Sequence, residues 1–147
     1  MLAIFERARK FMSDNGNPNQ WKNYPPVDLI RSDIKSGKSY VCVEGGAVVG
    51  TFFYDFGAEI EPTYRVIDGA WKNDGAYGVI HRIASSGAVK GFGEFCLNWA
   101  FARGGHLRID THADNKILQH LLKKLGFEYC GVVYIRNNEP RLAYEKF

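Results

Sequence analysis

The chain lacks most of what a membrane, secreted or nucleic-acid-binding protein would need. No stretch approaches the roughly 18 consecutive apolar residues of a membrane-spanning helix. Glu6, Arg7, Arg9 and Lys10 break any signal-peptide core within Met1–Lys10, so the expected compartment is cytoplasmic, with no membrane partner. Cysteine is sparse. Cys42, Cys96 and Cys130 are odd in number, far apart and without a C-x-x-C pair, which argues against a disulfide framework or zinc finger and for reduced, mostly buried thiols. Charge of one sign is also missing: 19 Lys and Arg against 16 Asp and Glu leave +3, with no basic run suited to nucleic acid. There is no repeat, low-complexity tract or interdomain linker, and 147 residues suit a single domain over 1–147. What is plentiful is ring surface. Ten Phe, eight Tyr and three Trp make 14% of the chain, enough to line a pocket as well as fill a core.

Apolar periodicity assigns the elements. Leu2, Phe5, Ala8 and Met12 mark an amphipathic helix ending near Met12 in the turn-rich segment that follows. Val27 to Lys35 reads as a second helix, with Asp28 as candidate N-cap and Gly37 as stop. Tyr40–Val43 and Ala47–Tyr54 form a hairpin about Glu44-Gly45-Gly46, and Gly57 to Asp74 is irregular and suited to facing a substrate. Tyr77 to Ser85 is a strand, Gly87 to Gly93 a glycine-bearing loop, and Glu94 to Arg103 a helix. His106 to Thr111 is a strand, and Lys116 to Leu125 a helix stopped by Gly126. Phe127–Ile135 and Arg141–Phe147 are strands about an Asn137-Asn138 turn.

A strand, a glycine loop (Val89-Lys90-Gly91-Phe92-Gly93) and a helix start suit a diphosphate, because a helix start offers unpaired N–H groups and partial positive charge. The alternative is a tight turn needing glycine for geometry alone. Neither G-x-x-x-x-G-K-[ST] nor a full G-x-G-x-x-G is present. The order Ile83-Ala-Ser, Val89-Lys-Gly-Phe-Gly, Arg108-Ile-Asp-Thr, Asn115 and Leu121-Leu-Lys-Lys-Leu-Gly-Phe resembles the GNAT superfamily of acyl-CoA-dependent N-acyltransferases. The resemblance covers roughly residues 40 to 135. It implies an α/β fold, a mixed, mostly antiparallel sheet with a splayed central strand pair flanked by helices. It also implies acetyl-CoA as co-substrate in the cleft, without metal. Its cofactor contacts would fall on Ile83, Ser85, Lys90, Gly91, Phe92, Gly93, Glu94, Asn115 and Lys124. Two family positions depart. The loop's usual Gln or Arg is Ala88, with Lys90 as candidate replacement charge, and the tyrosine often used as general acid is Leu122, leaving Tyr129, Tyr134 or water.

Acylation of an amine needs its nitrogen deprotonated near pH 7 and a donor, here a backbone N–H near Ile83, for the developing oxyanion. On a regular strand, Tyr77, Val79, His81, Ile83 and Ser85 share one face, with Arg82 and Ala84 opposite. His81 is the first candidate base, with a structural histidine as the alternative. The resemblance points to Tyr77, and Glu59 and Glu61 are candidates to activate a water. Asp110, His112 and Asp114 lack the second cluster that a metal site requires and read as turn and cap residues. Trp21, Tyr24, Tyr64 and Trp71 precede the cofactor strand and read either as an aromatic acceptor wall or as core packing. The expectation is an N-acetyltransferase acting on a small-molecule or peptide amine by direct attack in a ternary complex. The rival is a catalytically inactive acyl-CoA-binding domain. Exposed strand edges are compatible with a homodimer.

Overall fold

The computed structural model describes residues 1–147. Helix α1 (Leu2–Asp14) runs two residues past Met12, and α2 (Val27–Lys35) follows. Asp28 is not the N-cap of α2. Pro26 holds that place, and Asp28 lies in the first turn, where its negative charge meets the positive helix end. Strands β1 (Ser39–Glu44) and β2 (Ala47–Gly57) form the hairpin. The irregular segment holds a 3₁₀ turn, Pro62–Tyr64, and a short strand, β3 (Ile67–Gly69), that pairs with a strand far along the chain. Then come β4 (Tyr77–Ser85), α3 (Phe92–Gly104), β5 (Leu107–Thr111), α4 (Lys116–Lys124), β6 (Glu128–Ile135) and β7 (Glu139–Lys146).

All seven strands join one sheet in the order β1-β2-β4-β5-β7-β6-β3. Every pairing is antiparallel except β4 with β5. That parallel pair is registered only at Gly78 with Leu107 and Val79 with Arg108, after which the strands part. The splayed central pair expected from the sequence is therefore present, and it opens a cleft toward the C-terminal ends of both strands.

The two faces of the sheet have different covers. On one, α3 and α4 bury Cys96, Leu97, Ala100 and Leu122 against Phe52, Tyr54, Ile80 and Ile109. Helix α3 is apolar nearly all round, which is what a helix laid into a core should be. On the other face, α1 and α2 bring Phe5, Ala8 and Ile30 onto Trp21 and Ala84, while Tyr64, Tyr77, Val79 and Val133 form a neighbouring cluster. The three cysteines are free, with Cys96 and Cys130 buried.

The expected alternation along β4 fails at Arg82. Thr51 of β2 pairs with Ala84 but Phe53 pairs with His81, so β4 carries one extra residue there, and Arg82 takes φ +54°. Two residues then oppose one, as in a β-bulge. His81 and Arg82 both pack on the Phe53 ring, at 5.7 Å between ring centroids and 4.6 Å from the guanidinium carbon. Arg82 thus shares the face of Tyr77, Val79 and His81, whereas Ile83 packs with the opposite cluster.

Candidate active site

Two cavities occupy the cleft and share Met12, Ile83, Asn115 and Leu118. The larger, about 430 Å³, lies among α1, the end of β4, the glycine loop and the first turns of α3 and α4. Ile83, Ser85, Gly91, Phe92, Gly93, Glu94 and Asn115, all named as candidate cofactor contacts, line it. Gly91 is the residue before α3 and sits at φ +72°, ψ +20°, a left-handed conformation that glycine adopts without strain, and the first turn of α3, with its unpaired N–H groups, borders the cavity. Lys90 and Lys124 do not line it. Lys90 is exposed on the loop, and Lys124 reaches Glu94 at 3.1 Å.

The positive charge comes instead from Arg7 of helix α1 and from Lys116 at the start of α4. Arg7 lines the larger cavity and donates from Nη1 to the Ser85 carbonyl at 3.1 Å. Gly87, at φ +83°, makes room for it, since a methyl group there would run into the guanidinium. Asn17, 3% exposed, also lines this cavity, and its Oδ1 is buried with no partner. Its Nδ2 donates to Gln20 Oε1 at 2.8 Å, and the same oxygen accepts Asn115 Nδ2 at 3.0 Å. Asn115 Oδ1 in turn accepts the Leu118 N–H at 3.1 Å and caps α4. One glutamine thereby joins the α1–α2 connection to the start of α4.

The smaller cavity, about 180 Å³, lies between the diverging strands and is lined by Ile80, His81, Arg82 and Ile83 of β4 and by Ile109 and Asp110 of β5. Glu61 Oε1 lies 3.0 Å from His81 Nε2, with side chains 24% and 18% exposed. Burial pushes the Glu61 carboxyl up, but the His81 hydrogen bond and charge, the Arg82 charge and the Thr63 N–H outweigh it and hold the group below the usual glutamate range. With Nε2–H donated to the ionised Glu61, Nδ1 is the ring nitrogen left to take a further proton. Such an imidazole can take a proton while the carboxylate stabilises the cation that results. Glu59, by contrast, is exposed and lines neither cavity.

Tyr77 stands outside the cavity. It is 3% exposed in the core, and its hydroxyl accepts the Glu61 backbone N–H at 3.3 Å, so it supports the segment carrying Glu61. Trp21 and Tyr24 line the smaller cavity, but Tyr64 and Trp71 do not. Tyr64 is fully buried behind it and donates to Asp110 Oδ2 at 2.6 Å, while Trp71 donates from its indole N–H to the Tyr64 carbonyl at 2.8 Å. These two rings are core packing that holds Asp110. Among the acids considered in place of Leu122, Tyr129 is on neither cavity and Tyr134 donates to Asp68 at 2.6 Å. Leu122 itself is fully buried in the core.

No group of three or more His, Cys, Asp or Glu side chains is placed to hold a metal ion. Asp110 turns to Tyr64, and His112 Nδ1 accepts the Asp114 N–H at 2.9 Å within its own turn. No helix is long and apolar enough to cross a membrane.

Sequence reasoning missed Arg7, Asn17, Thr63, Arg136 and Arg141 as cavity residues. Arg7 had a legible signal, being one turn from Phe11 on the same face of α1. The others come together only through tertiary structure.

No protein-family model matches the sequence, and no curated protein does either. Solved structures match strongly. An acetyltransferase from Listeria monocytogenes, at 20% identity over 99% of this chain and 86% of its own, shares the fold with a TM-score of 0.65. A ribosomal-protein-alanine N-acetyltransferase from Brucella melitensis does so at 17% identity over 100% and 96%, with a TM-score of 0.59. A GNAT-family acetyltransferase from Streptococcus agalactiae is 32% identical over 99% of this chain and 87% of its own, with a TM-score of 0.79. Identity at that level, sustained along nearly the whole chain and accompanied by the same fold, places this protein in the GNAT family of acetyltransferases.

Proposed function

We propose that this acetyltransferase draws its acetyl group from acetyl-CoA and passes it to a primary amine by direct attack within a ternary complex. The observation that carries the reading is the junction of the two cavities at Ile83, Met12, Asn115 and Leu118, with the Glu61–His81 pair on the far side. The larger cavity fits the cofactor's chemistry. The first turn of α3 and Arg7 offer N–H donors and positive charge to a diphosphate, and the unpartnered Asn17 Oδ1 suits an amide N–H. Acetyl-CoA, when bound, supplies an activated acyl carbon with a thiolate leaving group.

The chain's own groups do the rest. The β4 edge beyond Val79 is not paired with β5, so its N–H groups near Ile83 are free to meet a developing oxyanion. His81 accepts the amine proton as the C–N bond forms and the C–S bond breaks, and Glu61 stabilises the imidazolium. The departing thiolate takes its proton from water. An acyl-enzyme is disfavoured. Cys42, Cys96 and Cys130 line neither cavity, and burial pushes every one of these thiols up, Cys130 to about 11.

Thiol release from acetyl-CoA against a panel of primary amines tests this, together with thermal unfolding at increasing CoA. Saturation at 100-fold the dissociation constant should add about 2.7 kcal/mol, and Gly91→Val should remove most of the gain. Binding without thiol release from any amine would make this an acyl-CoA-binding domain instead. The absence of any thermal shift would refute the cofactor assignment.

A further inference from the structure

The smaller cavity holds two opposite charges that do not answer each other. Asp110 faces it with a hydrogen bond from Tyr64 but no cation within ion-pairing distance. Arg136 faces it with no carboxylate partner, its guanidinium carbon stacked 3.7 Å over the Tyr24 ring. The remaining charges are balanced to different degrees. Arg82 is bound by buried Asp33 at 2.8 Å, and Glu61 by His81. Arg141 has a side chain only 2% exposed, yet its one carboxylate partner, Glu139 at 3.1 Å, is 47% exposed and therefore weakened by water. Arg141 donates to the Pro140 and Gln20 carbonyls and to Glu139, which leaves two of the roughly five N–H groups of a guanidinium unclaimed.

A buried guanidinium costs free energy unless something answers it, and the only carboxylate that answers Arg141 is the exposed Glu139, whereas Arg136 is exposed and keeps its charge in contact with water. Arg136 and Arg141 come from the two ends of the β6–β7 turn, and Tyr24 fixes two of the cavity's guanidinia at once, Arg136 on its face and Arg82 on its hydroxyl at 2.9 Å. Thr63 Oγ1, on the Glu61 segment, is a further buried polar atom without a partner that faces the same space. At about 30 Å³ per liquid water, 180 Å³ suits a small molecule.

We propose that the acceptor is a small amino acid-like molecule whose carboxylate is held by Arg136 and Arg141 while its amine sits against Asp110 beside His81. This rests on the amine-acetylation reading of the same site and narrows it. Planar guanidinia match a carboxylate two hydrogen bonds at a time, which is why arginine suits this task better than lysine. The carboxylate anchors the molecule, and Asp110 draws in the ammonium form, from which His81 can take a proton.

The test is thiol release from acetyl-CoA with matched pairs, each a small amino acid and the amine obtained by replacing its carboxylate with hydrogen. The carboxylate member should show at least tenfold higher kcat/KM, mostly through KM, and its KM should rise with salt. In Arg136→Ala that ratio should fall about tenfold, and Arg136→Lys should restore part of it; circular dichroism and melting temperature confirm that both variants fold. Equal or better turnover of the decarboxylated partners, or an unchanged ratio in Arg136→Ala, overturns the acceptor assignment and leaves amine acetylation standing. No turnover of any amine overturns both.

Discussion

Replacing Glu61 with Gln keeps the size of the side chain and removes its charge. The Nε2–Oε1 distance is 3.0 Å and both side chains are less than a quarter exposed. A hydrogen bond to an ionised group in such surroundings contributes about 1.5–3 kcal/mol net. If that stabilisation is expressed on the imidazolium formed as the amine loses its proton, its loss slows kcat by roughly 10- to 200-fold. The acceptor KM should move little, since Glu61 is engaged by His81. Steady-state thiol release measures both constants. His81→Ala should cost more, and the double variant Glu61→Gln, His81→Ala should be no slower than His81→Ala alone, because the carboxylate acts through the imidazole. A multiplicative double variant, or a Glu61→Gln enzyme with more than half the original kcat, would refute the reasoning. Glu61 also carries a pH signature. Its carboxyl lies below the ordinary glutamate range, so its contribution to folding is present above that range and is lost as pH falls through the native value.

Arg7→Ala should raise the KM for acetyl-CoA about tenfold and leave that of the acceptor within twofold, and Ala88→Arg in that background should recover part of the loss by returning charge to the loop. Initial rates at varied acetyl-CoA decide it; an unchanged KM in Arg7→Ala would show that the loop and α3 suffice. Glu145 is fully buried and accepts from His106 Nε2 at 2.7 Å, Arg108 Nε at 2.9 Å and the Lys72 N–H at 2.7 Å. Glu145→Ala strands the Arg108 charge and should destabilise the fold by about 3–5 kcal/mol in urea unfolding. Burial pushes the Glu145 carboxyl up, but His106, the Lys72 N–H and Arg108 outweigh it, so this stability is present above the ordinary glutamate range and fades as pH falls through the lowered native value.

Periodicity and spacing carried most of the fold. Tyr77–Ser85 and Val27–Lys35 have the bounds their patterns predict, and Gly126 ends α4 at φ +87°. Strand β3 was illegible because three residues are too few to show a period, and Asp68-Gly69 reads as a turn although both pair with β6. The larger cavity was legible because its donors are backbone groups at a glycine-marked helix start. The smaller one was not, because its charges come from residues as far apart as Glu61 and Arg141. Tyr64 and Trp71 show the opposite error. Aromatic composition cannot distinguish a ring that faces a cavity from one that stands behind it.

One residue accounts for much of what the sequence could not show. Had β4 been regular, Arg82 would point away from His81 and toward the α3 face, among Ile80, Leu97 and Leu107, where its charge has no partner. The extra residue turns it onto the same side as His81, where Asp33 of α2 and the Tyr24 hydroxyl receive it. The same irregularity reverses Ile83 to the other face. A bulge bends and twists its strand, and this one sits on the stretch of β4 that has already left β5. The left-handed conformation at a non-glycine residue costs on the order of 1–3 kcal/mol, a cost that persists only where the surroundings enforce it. Here the enforcement is the Asp33 and Tyr24 bonds, so the strained backbone of β4 and the contacts that tie it to α2 and to Tyr24 at the smaller cavity depend on the same side chain.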